Sequence, residues 1–150
     1  MKKRTKNYGF QPATITPDNF QLGGLGIFNK KVLNPNLDWT SYLPTGEHQQ
    51  IGIETQNCVS FGTLNALEIL YRRLYLSEAN WSDRFLGIVA ETDPYGGNTP
   101  HEVAQAIRHN GLVKEESLSY EKFSNPEEYY KPKPPTDSLV KEGEKWLESY

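Results

Sequence analysis

The stretch Thr55-Gln56-Asn57-Cys58-Val59-Ser60-Phe61-Gly62 places the chain's one cysteine where a helix begins. From Asn57 to about Leu76 there is no proline and a single glycine. Apolar residues recur at Val59, Phe61, Leu64, Ala66, Leu67, Ile69, Leu70, Tyr71, Leu74 and Tyr75. These positions cover most of a helical circumference, so the spacing predicts a central, largely buried helix. A sulfur at the head of that helix feels the partial positive charge of unpaired amides, which favours the thiolate and lowers its pKa. A cysteine in an apolar helix is also a small hydrophobe with no chemical duty. Both readings stand on these residues alone.

Working outward, Ser82 is a fair N-cap for a second helix to about Glu91, packing Phe85, Leu86, Ile88 and Val89. Thr99-Pro100-His101-Glu102 combines a capping-box pair with proline at the first helical position, and Asn110-Gly111 supplies the stop. Val103, Ala106 and Ile107 form the stripe of this third helix, and Leu112-Val113 opens an extended segment. Pro126, Pro132, Pro134 and Pro135 mark residues 125–135 as an ordered connector. Tyr129-Tyr130 reads there as packing and not as a stacking platform for single-stranded nucleic acid. A last amphipathic helix spans Asp137–Tyr150, with Leu139, Val140, Trp146, Leu147 and Tyr150 on its buried side. Residues 1–36 read as irregular. Gly23-Gly24-Leu25-Gly26 is a turn that lacks the Gly-Lys-Ser/Thr of a phosphate loop. The expected class is mainly α.

Composition narrows the partners. The chain has 150 residues, the size of one domain, with 23% charged residues and a net charge of −3. That balance points away from nucleic acid and anionic membranes. No run of about 18 apolar residues occurs, and the basic opening Met1–Lys6 runs into Asn7, Tyr8 and Gly9 instead of an apolar stretch. One cysteine makes no internal disulfide, which suits a cytoplasmic location, with a place in a virion as the alternative. Neither metal-ligand spacing nor a cofactor motif is present, so none is expected.

A cysteine hydrolase needs a thiolate, a base to activate it, and donors for the developing oxyanion. Cys58 supplies the first and its own N–H one donor; Gln49, Gln50 and Gln56 lie near enough to supply an amide. His48 reads as a loop residue, His101 as solvated in a first helical turn, and His109 as a contact in a last turn. Glu115-Glu116 and Glu127-Glu128 read as solvated faces.

Several segments, in order, resemble the N-terminal helical lobe of papain-like cysteine peptidases. They are Asp38-Trp39, Asn57-Cys58-Val59-Ser60-Phe61, Ser82-Asp83-Arg84-Phe85-Leu86, Gly96-Gly97, Asn110-Gly111-Leu112, and Glu115-Glu116-Ser117 with Tyr120. The resemblance covers roughly residues 36 to 120. It implies Cys58 as nucleophile, Gln50 as oxyanion donor, and Gly96 and Gly97 as glycines whose backbone pairs with an extended peptide or protein substrate. Val59 departs from the family's tryptophan, Tyr95 stands where a disulfide cysteine is usual, and disulfide-free relatives belong with bacteria or their phages. The family's base His and orienting Asn lie roughly 130–150 residues beyond the cysteine, past the end of these residues. The expectation is therefore an irregular segment over 1–36 and a papain-like N-terminal lobe over 37–150. The β-rich C-terminal lobe would come from a parent chain, and these 150 residues alone would be inactive. The alternatives are a non-catalytic structural or binding module, or a cysteine amidase acting on cell-wall peptides.

Overall fold

The computed structural model describes residues 9–15, 17, 38–44, 52–120 and 122–149. These residues form a mainly helical unit. Its helices are α1 (Cys58–Tyr75), α2 (Asp83–Val89), α3 (Pro100–Asn110), α4 (Pro126–Tyr129) and α5 (Asp137–Ser149). Short 3-10 turns occur at Thr40–Tyr42 and Glu115–Ser117. Among the described residues extended pairing is confined to isolated bridges: Phe10 with Asn98 in parallel, and Trp81 with Lys114 and Asp93 with Gly97 antiparallel.

The helix ends follow local chemistry. Ser82 Oγ accepts the Phe85 N–H and starts α2. Thr99 Oγ accepts the Glu102 N–H and starts α3, with Pro100 next and Gly111 closing the helix. The reciprocal half of the expected capping box is replaced, because the Thr99 N–H goes to Asn98 Oδ1 and not to Glu102. The connector is more ordered than its prolines suggest. Asn125 caps the single turn of α4 through the Glu128 N–H, and Tyr129 and Tyr130 that follow are buried.

α1 packs on α2 and α3, and α5 packs on α3. The main core joins Val59, Leu64, Trp81, Leu86, Val103, Ile107 and Leu112. Trp81 stands edge-on to Tyr71 and Trp146, with ring centroids 5.4 and 6.2 Å apart. A second cluster unites Phe85, Val113 and Leu139, and a third Ile88, Tyr129 and Tyr130. Glu68 is buried on α1 because its Oε1 accepts the Trp81 N–H at 2.9 Å, which fixes the strand-like entry to α2.

Two expectations are corrected. The buried residues of α1 fall between Val59 and Glu68, and beyond them Leu70, Leu74, Tyr75 and Leu76 are exposed. Apolar periodicity reports what a helix can bury; at this end the 3-10 turn at Thr40–Tyr42 and its neighbours engage Arg72 and Arg73 and leave these four side chains exposed. On α5 the buried line is Leu139 and Gly143, with Trp146 half-buried beside them, while Val140 turns outward. The close approach of α5 to Asn110 is what selects glycine at 143, and it rotates the inward face away from Val140.

Candidate functional site

Cys58 is the first residue of α1, reached through the loop 52–57. That loop is tied from below. Tyr130 Oη donates to the Thr55 carbonyl at 2.7 Å. Asn57, fully buried, donates its side-chain amide to the Asp83 carbonyl at 2.8 Å and to Tyr129 Oη at 3.0 Å. The tyrosines are in turn held by Arg84, whose guanidinium donates to the carbonyls of Tyr129 (2.7 Å), Ser119 (3.1 Å) and Lys131, and lies 4.3 Å over the Phe123 ring. Gln56 adopts φ 58°, a left-handed backbone uncommon outside glycine, and its N–H goes to Glu54 Oε1 at 3.3 Å.

The sulfur is half-buried. The backbone N–H groups of Cys58 and Val59 favour its thiolate, as a helix head should, yet the pKa lies above the ordinary thiol value. Burial is the larger cause and the negative charge of Glu54 the second. The expected lowering by the helix terminus is thus overturned. Desolvation of a thiolate and a carboxylate four residues upstream outweigh two amide dipoles. Tyr130 is also held strongly neutral, first by burial and then by the nearby Cys58, Asp93 and Glu54. Thiol, phenol and two carboxylates therefore share one neighbourhood.

Gly96 and Gly97 lie in a turn closed on Asp93. Both of their N–H groups donate to the Asp93 carbonyl, at 3.2 and 2.8 Å, and the Asp93 N–H returns to the Gly97 carbonyl at 3.2 Å. The backbone groups that pair with an extended segment are those of the next residue, Asn98. Its N–H donates to the Gly9 carbonyl at 2.8 Å, and its carbonyl accepts the Gln11 N–H at 2.7 Å. The Gln11 side-chain amide adds bonds to the carbonyls of Gly96 (2.9 Å) and Gly97 (3.2 Å). Asn98 is fixed for this duty by its own side chain, which donates to the Ala90 carbonyl at 2.7 Å and to Thr92 Oγ1 at 3.1 Å.

Gln50, the expected oxyanion donor, and His48 lie outside the described residues. His101 and His109 occupy the first and last turns of α3. His101 is half-buried, unlike the solvated residue expected, and His109 is exposed. Among the described residues no imidazole is hydrogen-bonded to the Cys58 sulfur, and no group of three or more His, Cys, Asp or Glu could hold a metal ion. A hollow of about 150 Å³ lined by Tyr42, Glu68, Arg72, Glu78 and Asn80 lies farther down α1. At 1.5 Å per residue, Glu68 is about 15 Å from the helix head. No protein-family model matches the chain, and no curated protein matches it either.

Sequence reasoning missed Gly9, Gln11 and Asn98. A lone glycine ahead of Phe-Gln-Pro was the available signal, because proline at 12 has no N–H and ends any strand pairing there.

Proposed function

We propose that this chain carries the thiol half of a cysteine peptidase, in the manner of a papain-like N-terminal lobe, and that its substrate is an extended peptide or protein segment. The observation that supports the reading is the occurrence together of a half-buried cysteine at the head of α1 and a backbone edge at Asn98 that hydrogen-bonds an extended segment of the chain. In this scheme Cys58 attacks the scissile carbonyl and Gly96 and Gly97 border the bound strand. The Cys58 N–H, together with Gln50, holds the oxyanion. The raised pKa leaves the resting sulfur protonated, so attack requires a base to take that proton. An imidazole on a second lobe, oriented by an amide, would fill that role. The site would work in the cytoplasm or in a virion, and no described helix is long and apolar enough to cross a membrane.

A fluorogenic peptide assay on the protein joined to the imidazole-bearing lobe that this reading calls for tests it. Turnover abolished by Cys58→Ala supports it, and no turnover, or turnover that survives the substitution, overturns it. A second reading, a peptide-binding module without chemistry, is favoured by the raised thiol pKa. It predicts peptide binding that Cys58→Ala leaves intact and hydrolysis by no form of the protein. An amidase for cell-wall peptides would share the thiol, and differ by cleaving those peptides in preference to general ones.

A further inference from the structure

The edge at Asn98 is occupied by the chain itself. Gly9, Phe10 and Gln11 lie along it in one isolated parallel bridge, bonded to both the N–H and the carbonyl of Asn98 and clamped by the Gln11 amide on two glycine carbonyls. The same segment reaches the loop before the nucleophile. A Cβ on Gly9 would stand 2.1 Å from the Gln56 carbonyl oxygen, and one on Gly97 would stand 1.9 Å from the Gly9 carbonyl oxygen. Gly9 is therefore wedged between Gln56, two residues before Cys58, and Gly97. It is buried and has φ 86°, which an L side chain rarely adopts. Phe10 points outward and is half exposed.

We propose that residues 9–11 are a resident, displaceable occupant of a peptide-binding edge, and that an extended peptide with glycine at the wedged position competes with them. The recognition chemistry is on the edge itself. Backbone groups of Asn98 take any strand, the carbonyls of Gly96 and Gly97 take an amide two residues after the wedge, and the gap between Gln56 and Gly97 admits no side chain. A glycine-containing peptide with a glutamine two positions later fits all three. That such a peptide is also cleaved rests on the peptidase reading; that it binds does not.

The test uses the whole chain and a fluorescent, end-blocked peptide of sequence Gly-Phe-Gln-Pro-Ala-Thr-Ile, read by polarisation. Gln11→Ala removes only the side-chain clamp, and Gly9→Ala also expels the wedge. Affinity for the peptide should rise several-fold in Gln11→Ala and about tenfold or more in Gly9→Ala. The same peptide with alanine in place of its glycine should bind neither. Should Gly9→Ala melt, Gln11→Ala carries the test alone. Equal affinity in Gln11→Ala and the parent chain overturns the proposal, as does equal binding of the alanine peptide. Tighter peptide binding without hydrolysis by the two-lobed protein would retire the peptidase reading and leave the occupant standing. Hydrolysis with unchanged peptide affinity would do the reverse.

Discussion

Asn57 stands at the N-cap position of α1 but does not cap it, and that difference can be measured. Its side-chain amide turns away from the helix to bond the Asp83 carbonyl and Tyr129 Oη, both in the interior. Each such bond contributes about 1 kcal/mol net. Asn57→Ala removes both, and the loss is partly offset because Asn57 Oδ1 is itself buried without a partner. The expected cost is about 1–2 kcal/mol. For a chain of 150 residues that lowers the Tm by about 2–8 °C. Asn57→Ser is the discriminating variant. Serine is as good an N-cap as asparagine, but its hydroxyl is too short to span from α1 to both Asp83 and Tyr129. It should be as destabilising as alanine. Asn57→Asp should be worse, since it buries a carboxylate whose pKa rises in the folded state; that variant loses stability as pH climbs through the folded value. Thermal melts by circular dichroism decide the matter. If Asn57→Ser or Asn57→Asp melts within a degree of the parent chain, Asn57 is an ordinary cap and the bonds to Asp83 and Tyr129 contribute little.

Tyr130→Phe deletes the bond to the Thr55 carbonyl and should cost about 1 kcal/mol, a fall in Tm of about 2–4 °C; no fall would remove Tyr130 from the loop's support. The Cys58 thiol should be alkylated by iodoacetamide with an inflection above the ordinary thiol range, and Glu54→Gln should bring that inflection down; an inflection below about 8.5 contradicts the burial argument. The sign for stability follows. A folded pKa raised above the unfolded one gives stability that is complete below the unfolded value and lost as pH rises through the folded one. Parent and Cys58→Ala melts should therefore diverge on the alkaline side only. Leu64→Ala, at the centre of the main core and 1% exposed, should cost about 2–5 kcal/mol by cavity formation; a loss under about 1 kcal/mol in urea titration would mean the core collapses around the gap.

What the chain discloses on reading is mostly what neighbours in sequence decide. The starts of α2 and α3 are legible because Ser82 and Thr99 bond amides three residues on. The position of Cys58 at a helix head is legible for another reason, since Asn57 makes no side-chain cap and it is the apolar run from Val59 onward that marks the helix. The inward face of α5 is not, because Gly143 contributes close approach without an apolar side chain, and counting apolar residues brings in Val140 instead. The exposure of Leu74 and Leu76 is likewise invisible to periodicity, which carries no information about what lies opposite. The site suffers most. Residues 9–11 and 98 meet across a long separation through backbone groups, and no local period marks such a pairing. The direction of the Cys58 pKa was written in Glu54 and in the apolar residues around the sulfur, but a helix dipole considered alone gives the opposite sign.

The loop 54–57 is constrained from two sides, and the constraint bears on one atom. From the interior, Tyr130, Tyr129 and Asn57 fix Thr55 and the helix start; from outside, Gly9 sits against the Gln56 carbonyl. Between them Gln56 keeps φ 58° and a buried Oε1 with no partner, features that cost about 1–3 kcal/mol when they occur and persist only where surroundings over-determine them. The strain is adjacent to a sulfur that two amides face and that burial keeps protonated. Position and ionisation are thus separated in this fold. The helical unit fixes where the sulfur is, while burial and Glu54 keep its proton on; on the peptidase reading, a base brought against the sulfur should change the reactivity of Cys58 far more than its location.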